Sequence, residues 1–141
     1  VAAFQLAEQW YEGRSTADPE RDYHLEHQAL HRAFAFYSQL GMEGVVLMEN
    51  GKVLAFAMGS RLNKDTFDIH FEKAREDVDG AYTVVNQEFA RYLRLKYAGL
   101  AYLDREEDMG LEGLRKAKLS YNPHHMVDKY KAYVAEEIHE L

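Results

Sequence analysis

The chain has 141 residues, of which 47% are hydrophobic and 13% aromatic, and it carries a net charge of −7. A chain of this length buries enough apolar surface to fold as one domain, and a pI near 5.5 argues against a broad nucleic-acid-binding surface. The lack of cysteine excludes disulfide scaffolds, thiolate metal sites and cysteine nucleophiles, and no apolar run approaches the roughly 20 residues that cross a bilayer.

Two helices are predicted before the first strand. Apolar residues at helical spacing predict a first helix that Gly13 and the stretch from Ser15 to Pro19 bring to an end. The second is predicted to begin at Asp18-Pro19-Glu20, an N-cap residue followed by proline, and to end at Gly41. Glu26 falls inside the apolar half of this second helix. A buried carboxylate needs a partner, so a structural hydrogen-bond hub is favoured there over a catalytic role.

The second predicted helix also carries three histidines on one face. His24, His27 and His31 have the spacing i, i+3 and i+7, which is compatible with metal binding. This face lies opposite the apolar half of the helix, where solvent is the expected neighbour. A solvated face is therefore favoured, and we expect no metal site.

Three strands are predicted next. The apolar runs Gly44–Glu49 and Lys52–Arg61 are joined by Asn50-Gly51, the dipeptide best suited to a type I′ turn, which predicts a hairpin. Residues 66–72 alternate between apolar and polar side chains, as in a strand with one drier face. The apolar positions of that strand are Phe67, Ile69 and Phe71.

The second half of the chain alternates helices and strands. In order, the predicted elements are a helix from Val84 to near Gly99, a strand Leu100–Leu103, an acidic loop Asp104–Asp108, a basic helix Gly110–Ser120 and a last element Val127–Val134. The last element is either a strand or a helix, and the β preference of its tyrosines favours the strand. The whole order predicts an α/β (α+β) fold with a mixed, mostly antiparallel sheet flanked by helices, as in acetyltransferase-superfamily enzymes.

The end of the third predicted strand carries Glu72 and Lys73. Strand ends face the ligand crevice in open α/β folds, so these residues suit a base, an oxyanion stabiliser or a phosphate contact, although an exposed ion pair is equally compatible. The following loop, residues 76–80, contains three carboxylates and one glycine. Phosphate is repelled there, and acetyl-CoA is therefore disfavoured as a ligand.

Basic residues concentrate near the end of the chain. Arg115 and Lys118 share one face of the predicted basic helix, and Arg105 and Asp108 lie in the acidic loop before it. This grouping suits an anionic ligand. A solvated helix face paired with its own acidic loop is the ordinary alternative.

Several blocks of sequence resemble one family. The run GLRKAKLSYNP at residues 113–123, followed by residues 129–133, is similar to the carboxy-terminal motif of phosphatidylglycerol lysyltransferases and their stand-alone soluble relatives. Residues 71–74, residues 80–82 with Asn86, and residues 104–110 resemble further blocks of the soluble relatives. The similarity extends from about Trp10 to Tyr133.

This resemblance implies an acetyltransferase-like (GNAT-like) fold, usually in two tandem copies, and transfer of an aminoacyl group from aminoacyl-tRNA to an amine or hydroxyl acceptor. The acceptor would be a small molecule or a lipid headgroup. Arg115 and Lys118 would contact the terminal phosphates or adenosine of the tRNA, while Lys73, Tyr82 and Asn86 would line the crevice. Residues 1–141 would form one domain, the carboxy-terminal half of a longer cytoplasmic protein with an N-terminal companion domain.

The reaction implied by the resemblance makes modest chemical demands. Aminolysis of an activated ester needs positioning, oxyanion stabilisation and removal of a proton. Lys73 or a backbone amide would stabilise the oxyanion, and Glu72 or Asp108 would accept the proton. We expect no cofactor. The alternative hypothesis is a non-catalytic module that binds a nucleotide or another anion and retains the fold.

Overall fold

The computed structural model describes residues 1–17, 23–105 and 112–134. The chain divides into two compact units, Val1–Glu106 and Glu107–Leu141, which are described in turn. No helix in these described ranges combines the length and the apolar character needed to cross a membrane.

The first unit contains a four-stranded sheet and three helices. In chain order they are α1 (Ala2–Ala17), α2 (His24–Ala35), β1 (Glu43–Glu49), β2 (Lys52–Arg61), β3 (Thr66–Ala74), α3 (Ala81–Lys96) and β4 (Tyr102–Arg105). The strands are ordered β1-β2-β3-β4, with β1, β2 and β3 antiparallel and β4 parallel to β3. Helix α3 makes the crossover that a parallel pair requires. The predicted mixed, mostly antiparallel sheet flanked by helices is confirmed.

Helices cover both faces of the sheet. On one face, α1 and α2 pack on β2 through a core that includes Leu30, Phe56 and Met58. On the other face, α3 packs through a core that includes Phe67 and Phe89, whose rings meet edge to face at 5.5 Å. The buried strand residues are therefore divided between two separate cores, one on each face of the sheet.

The predicted hairpin is confirmed, and its turn has the expected backbone. Asn50 and Gly51 have φ angles of 50° and 76°, which match a type I′ turn. Their positive φ values are accessible to asparagine and glycine at little cost, so the local sequence determines where β1 turns into β2.

A β-bulge interrupts the pairing of β2 with β3. Met58 pairs with Phe71 and Gly59 pairs with Ile69, so His70 is the extra residue of β3. Phe67 and Ile69 therefore face α3, whereas Phe71 packs on the core beneath α1 and α2. The predicted strand is confirmed, but its predicted drier face ends at Ile69, because the extra residue reverses the alternation beyond that point.

Helix α2 ends earlier than predicted, whereas α1 ends at Ala17, within the stretch from Ser15 to Pro19 that is predicted to end it. Helix α1 continues through Gly13 to Ala17, since a glycine in a helix lowers stability without ending the helix. Helix α2 follows a non-helical Tyr23 and ends at Ala35, after which turns lead to Gly41 at φ 64°. The predicted helix start at residues 18–20 lies outside the described residues.

Strand β4 begins two residues later than predicted. Ala101 and Tyr102 both donate backbone hydrogen bonds to Asp65 O, and pairing with β3 begins only at Tyr102. Asp104 and Arg105 are consequently strand residues opposite Asp68 and Ile69, although a loop is predicted for them.

The second unit contains α4 (Glu112–Leu119), which lies within the predicted basic helix. After α4, Asn122 has a positive φ of 53°, which interrupts helical backbone geometry close to the predicted end of the helix at Ser120. The predicted strand over residues 127–134 is wrong, because this segment has no regular secondary structure and its side chains are exposed. A strand needs a neighbour for its backbone hydrogen bonds, and the sheet in the described residues has only the four strands above.

Candidate functional site

The carboxyl ends of β3 and β4 lie at the same edge of the sheet because these strands are parallel. Glu72 lies near the end of β3, Arg105 ends β4, and Asn86 lies in α3. Arg105 Nη1 donates to Glu72 Oε2 at 2.5 Å, and Arg105 Nη2 donates to Asn86 Oδ1. One guanidinium group thus connects three elements of the fold.

This cluster of Glu72, Arg105 and Asn86 lies at the margin of the interior. The side chains of Glu72 and Arg105 are 17% and 20% exposed, and Asn86 is buried. Glu72 Oε1 is buried and has no hydrogen-bond partner among the described residues. One oxygen of the carboxylate is therefore anchored by Arg105, while the other keeps its hydrogen-bonding capacity unused among the described residues.

Lys73 lies on the opposite face of the sheet from this cluster. It pairs across the strands with Phe56, which belongs to the core beneath α1 and α2. Lys73 Nζ is 2.7 Å from Glu26 Oε1 and 3.6 Å from the centroid of the Trp10 ring. The lysine side chain is only 8% exposed. This ion pair agrees with the structural role favoured for Glu26. It also engages the ammonium group of Lys73, which is predicted to act on the substrate.

Tyr82 is held by α1 rather than by the cluster around Arg105. Trp10 Nε1 donates a hydrogen bond to Tyr82 Oη at 3.0 Å, which connects α1 to the first turn of α3. Burial of the phenol raises the pKa of Tyr82 above its usual value. Of the residues predicted to line the crevice, Asn86 contacts the ion pair of Glu72 and Arg105.

Arginines neutralise part of the acidic loop between β3 and α3. Arg75 forms two hydrogen bonds with Asp77, at 3.0 and 2.6 Å, and this pairing lowers the pKa of Asp77. Arg14 forms an ion pair with Glu76. The loop thus presents less negative charge than its sequence indicates, and it borders a surface depression shared with Trp10 and Gly13.

The remaining predicted site residues belong to the second unit or lie outside the described part of the chain. Asp108 lies outside the described residues. Arg115 is a residue of α4, but its side chain is not among those described. Lys118 lies in the last turn of α4 and is half-buried.

Sequence reasoning did not identify Trp10 as a functional neighbour, although its ring covers the Lys73 ammonium. It also did not pair Ser60 with His70, whose Nε2 lies 2.8 Å from Ser60 Oγ. Each contact joins residues of two different secondary-structure elements. The spacing of residues within one element therefore does not reveal it. The position of Glu26 within the apolar half of its helix is a usable signal, because it indicates a carboxylate in need of a partner, and Lys73 is that partner.

Comparison with known protein families gives one match that covers most of the chain. Residues 2–133 match the family described as "Phosphatidylglycerol lysyltransferase, C-terminal". Among solved structures, a conserved protein of unknown function from Bacteroides thetaiotaomicron VPI-5482 is 41% identical, with a TM-score of 0.78. The match covers 87% of this chain and 40% of that protein, so the chain spans well under half of that relative's length.

Acetyltransferase structures share the fold at much lower identity. A possible acetyltransferase from Clostridium difficile 630 is 13% identical, with a TM-score of 0.60, over 96% of this chain and 90% of that chain. An aminoglycoside acetyltransferase from an uncultured soil metagenomic sample is 12% identical, with a TM-score of 0.60, over 94% of this chain and 88% of that chain. No curated protein matches the chain. These likenesses show an acetyltransferase-like fold.

Proposed function

The chain belongs to the family of phosphatidylglycerol lysyltransferase carboxy-terminal domains, and on that basis we propose that it transfers an aminoacyl group from aminoacyl-tRNA to an amine or hydroxyl acceptor. Family and fold support a general transferase role, and the proposal specifies the donor and the bond formed. The observation that carries it is the match over residues 2–133. Because the proposed donor, aminoacyl-tRNA, is a cytoplasmic molecule, the proposed reaction takes place in the cytoplasm.

The proposed reaction is attack of the acceptor nitrogen or oxygen on the ester carbonyl of the aminoacyl-tRNA. A new amide or ester bond forms, the bond to the ribose oxygen breaks, and the acceptor proton passes through a base to the departing ribose oxygen. We assign Glu72 as that base, because Arg105 fixes Oε2 and Oε1 has no partner among the described residues.

Arg105 is the proposed oxyanion stabiliser in place of Lys73. The guanidinium has five N–H donors in a rigid fork, and it lies beside the proposed base. The Lys73 ammonium pairs with Glu26 on the other face of the sheet. Asn86 positions Arg105 through its side-chain oxygen.

Donor binding is assigned to Arg115 and Lys118 from the family motif, Tyr82 is expected to line the crevice, and Asp108 remains the alternative base to Glu72. The motif lies on the basic helix α4, which carries Lys116 and Lys118 in its last turn. In a chain of net charge −7, a phosphate ligand requires such a local concentration of positive charge. The acceptor is a small molecule or a lipid headgroup, and an N-terminal companion domain is part of the proposal.

A transfer assay tests the proposal. The chain is incubated with a mixture of labelled aminoacyl-tRNAs and with either phosphatidylglycerol vesicles or small amines, and labelled product is measured. Glu72→Gln should lower the transfer rate at least 100-fold while tRNA binding stays within twofold. Arg115→Ala with Lys118→Ala should weaken tRNA binding and lower its salt dependence, whereas the matched control Lys116→Ala should change both less.

A second candidate function is a non-catalytic module that binds a nucleotide or another anion. The ion pair of Glu72 with Arg105 at 2.5 Å is compatible with it, because two charges that satisfy each other can have a purely structural role. Thermal-shift measurements with tRNA, nucleotides and coenzyme A separate the two functions. A ligand that binds only the native state raises the melting temperature, so a shift without transfer activity identifies the binding module. A chain that neither binds aminoacyl-tRNA nor transfers its aminoacyl group refutes the proposed transferase.

A further inference from the structure

We infer that Glu8, His27 and His31 form a binding site for a divalent transition-metal ion, with Zn²⁺ as the expected occupant. Glu8 Oε1 in α1 is 2.7 Å from His27 Nε2 and 2.7 Å from His31 Nε2, both in α2. The two imidazole nitrogens are 3.1 Å apart. The histidines have the i, i+4 spacing that places two ligands on the same side of a helix.

Hydrogen bonding cannot satisfy all three contacts of this triad. An ionised Glu8 only accepts protons, so both histidines would have to donate their Nε2–H groups to it. The contact between His27 and His31 would then join two donors with no acceptor between them. If either histidine instead directs a lone pair at Glu8, that contact joins two acceptors. A cation between Glu8 Oε1, His27 Nε2 and His31 Nε2 removes this conflict, because each atom can then direct a lone pair at the metal.

The spacing of the three atoms also matches a coordination sphere. Atoms separated by 2.7, 2.7 and 3.1 Å can all lie about 2.1 Å from one point, which is the zinc–ligand distance expected for imidazole nitrogen and carboxylate oxygen. The ligand–metal–ligand angles would be roughly 80–95°, close to those between ligands on one face of an octahedron, so the triad occupies one side of the ion. The ligand side chains are 32–48% exposed, which leaves the other side open to water.

Aromatic side chains of α1 hold the two imidazole rings in place. The Tyr11 ring lies 4.6 Å from the His27 ring, and the Phe4 ring meets the His31 ring edge to face at 4.8 Å. Rings that are held before binding lose less conformational entropy when the ion arrives. Because Glu8 belongs to α1 and both histidines belong to α2, the ion would clamp the two helices together.

Zinc titration of the EDTA-treated chain by calorimetry tests this site. We expect one Zn²⁺ per chain with a dissociation constant of roughly 1 μM or lower, and a rise in melting temperature at saturation. His31→Gln should weaken binding at least tenfold, and Glu8→Gln should do the same while keeping a polar side chain of similar size. His24→Gln is the matched control, because it removes a histidine of the same helix that is outside the triad, and it should leave the affinity within twofold.

Co²⁺ provides a second readout that depends on coordination. The wild-type chain should give a visible ligand-field spectrum that His31→Gln and Glu8→Gln both abolish while their far-ultraviolet circular dichroism stays native. Three results would overturn the proposal: no Zn²⁺ binding by the wild type, equal affinity in wild type and His31→Gln, or equal losses in His24→Gln and His31→Gln. The last of these would indicate adventitious binding by surface histidines.

Discussion

Glu72 and Lys73 are neighbours in the chain, yet their charged groups lie on opposite faces of the sheet. Glu72 pairs across the strands with Ala57, in the core covered by α3, and contacts Arg105. Lys73 pairs with Phe56, in the core covered by α1 and α2, and contacts Glu26. The two residues therefore take part in different clusters, one in the candidate site and one joining α2 to the sheet.

Removing Glu26 should destabilise the protein more than removing Lys73. Glu26→Ala leaves a buried ammonium without its carboxylate and should lower the free energy of unfolding by about 3 kcal/mol. Lys73→Met leaves Glu26, which is 35% exposed and can be hydrated, so its cost should be about 1 kcal/mol. Urea unfolding of both variants measures the difference. A larger loss for Lys73→Met would contradict the assigned burial of this pair.

Gly59 should not tolerate a side chain, because it lies at the bulge. A Cβ atom there would overlap Asp68 O and lie 2.8 Å from the Phe67 ring. Gly59→Ala should therefore lower the free energy of unfolding by about 3 kcal/mol. Gly13→Ala is the matched control, since nothing lies within 4 Å of the added methyl group, and it should raise the free energy of unfolding by about 1 kcal/mol. Equal effects of the two changes would place the bulge elsewhere.

The fork of Arg105 should not be replaceable by lysine. A single ammonium cannot reproduce the two directed contacts with Glu72 and Asn86, so Arg105→Lys should cost about 1–2 kcal/mol of unfolding free energy. Arg91→Lys changes the same residue type in an exposed pair with Glu88 and should cost less than about 0.5 kcal/mol. Chemical denaturation of both variants checks the contrast. Similar costs would mean that the fork geometry contributes little.

Tyr82 should make stability fall at alkaline pH. Its folded-state pKa is raised above the reference value of 10.0, mainly by burial, so the folded state holds the proton more tightly than the unfolded state. The resulting stability is fully present below pH 10 and is lost as the pH rises through the folded-state pKa. Denaturation between about pH 9 and 11 should show a smaller decline for Tyr82→Phe than for the wild type. The exposed control Tyr130→Phe should follow the wild type, and a decline unchanged in Tyr82→Phe would exclude this phenol as the cause.

The sequence alone is sufficient to predict those features that depend on a short stretch of chain. Asn50-Gly51 determines the hairpin, because few other residues accept two positive φ angles in succession. The change from strand to helical periodicity across Gly80 predicts α3 and hence a crossover to a parallel strand. Helical spacing places Glu26 among apolar residues, which indicates that its carboxylate needs a partner, and that partner is the buried Lys73. The family blocks are likewise readable in the linear sequence.

The tertiary structure alone decided which charged groups meet. The bulge at His70 depends on how β2 pairs with β3, and it determines that Glu72 faces Arg105 and that Phe71 turns away from Ile69. The strand predicted over residues 127–134 did not form, because β preference cannot supply a neighbouring strand. Glu8 reaches His27 and His31 only through the packing of α1 on α2. Each of these outcomes depends on contacts between distant segments, and the periodicity of one segment does not encode its partner.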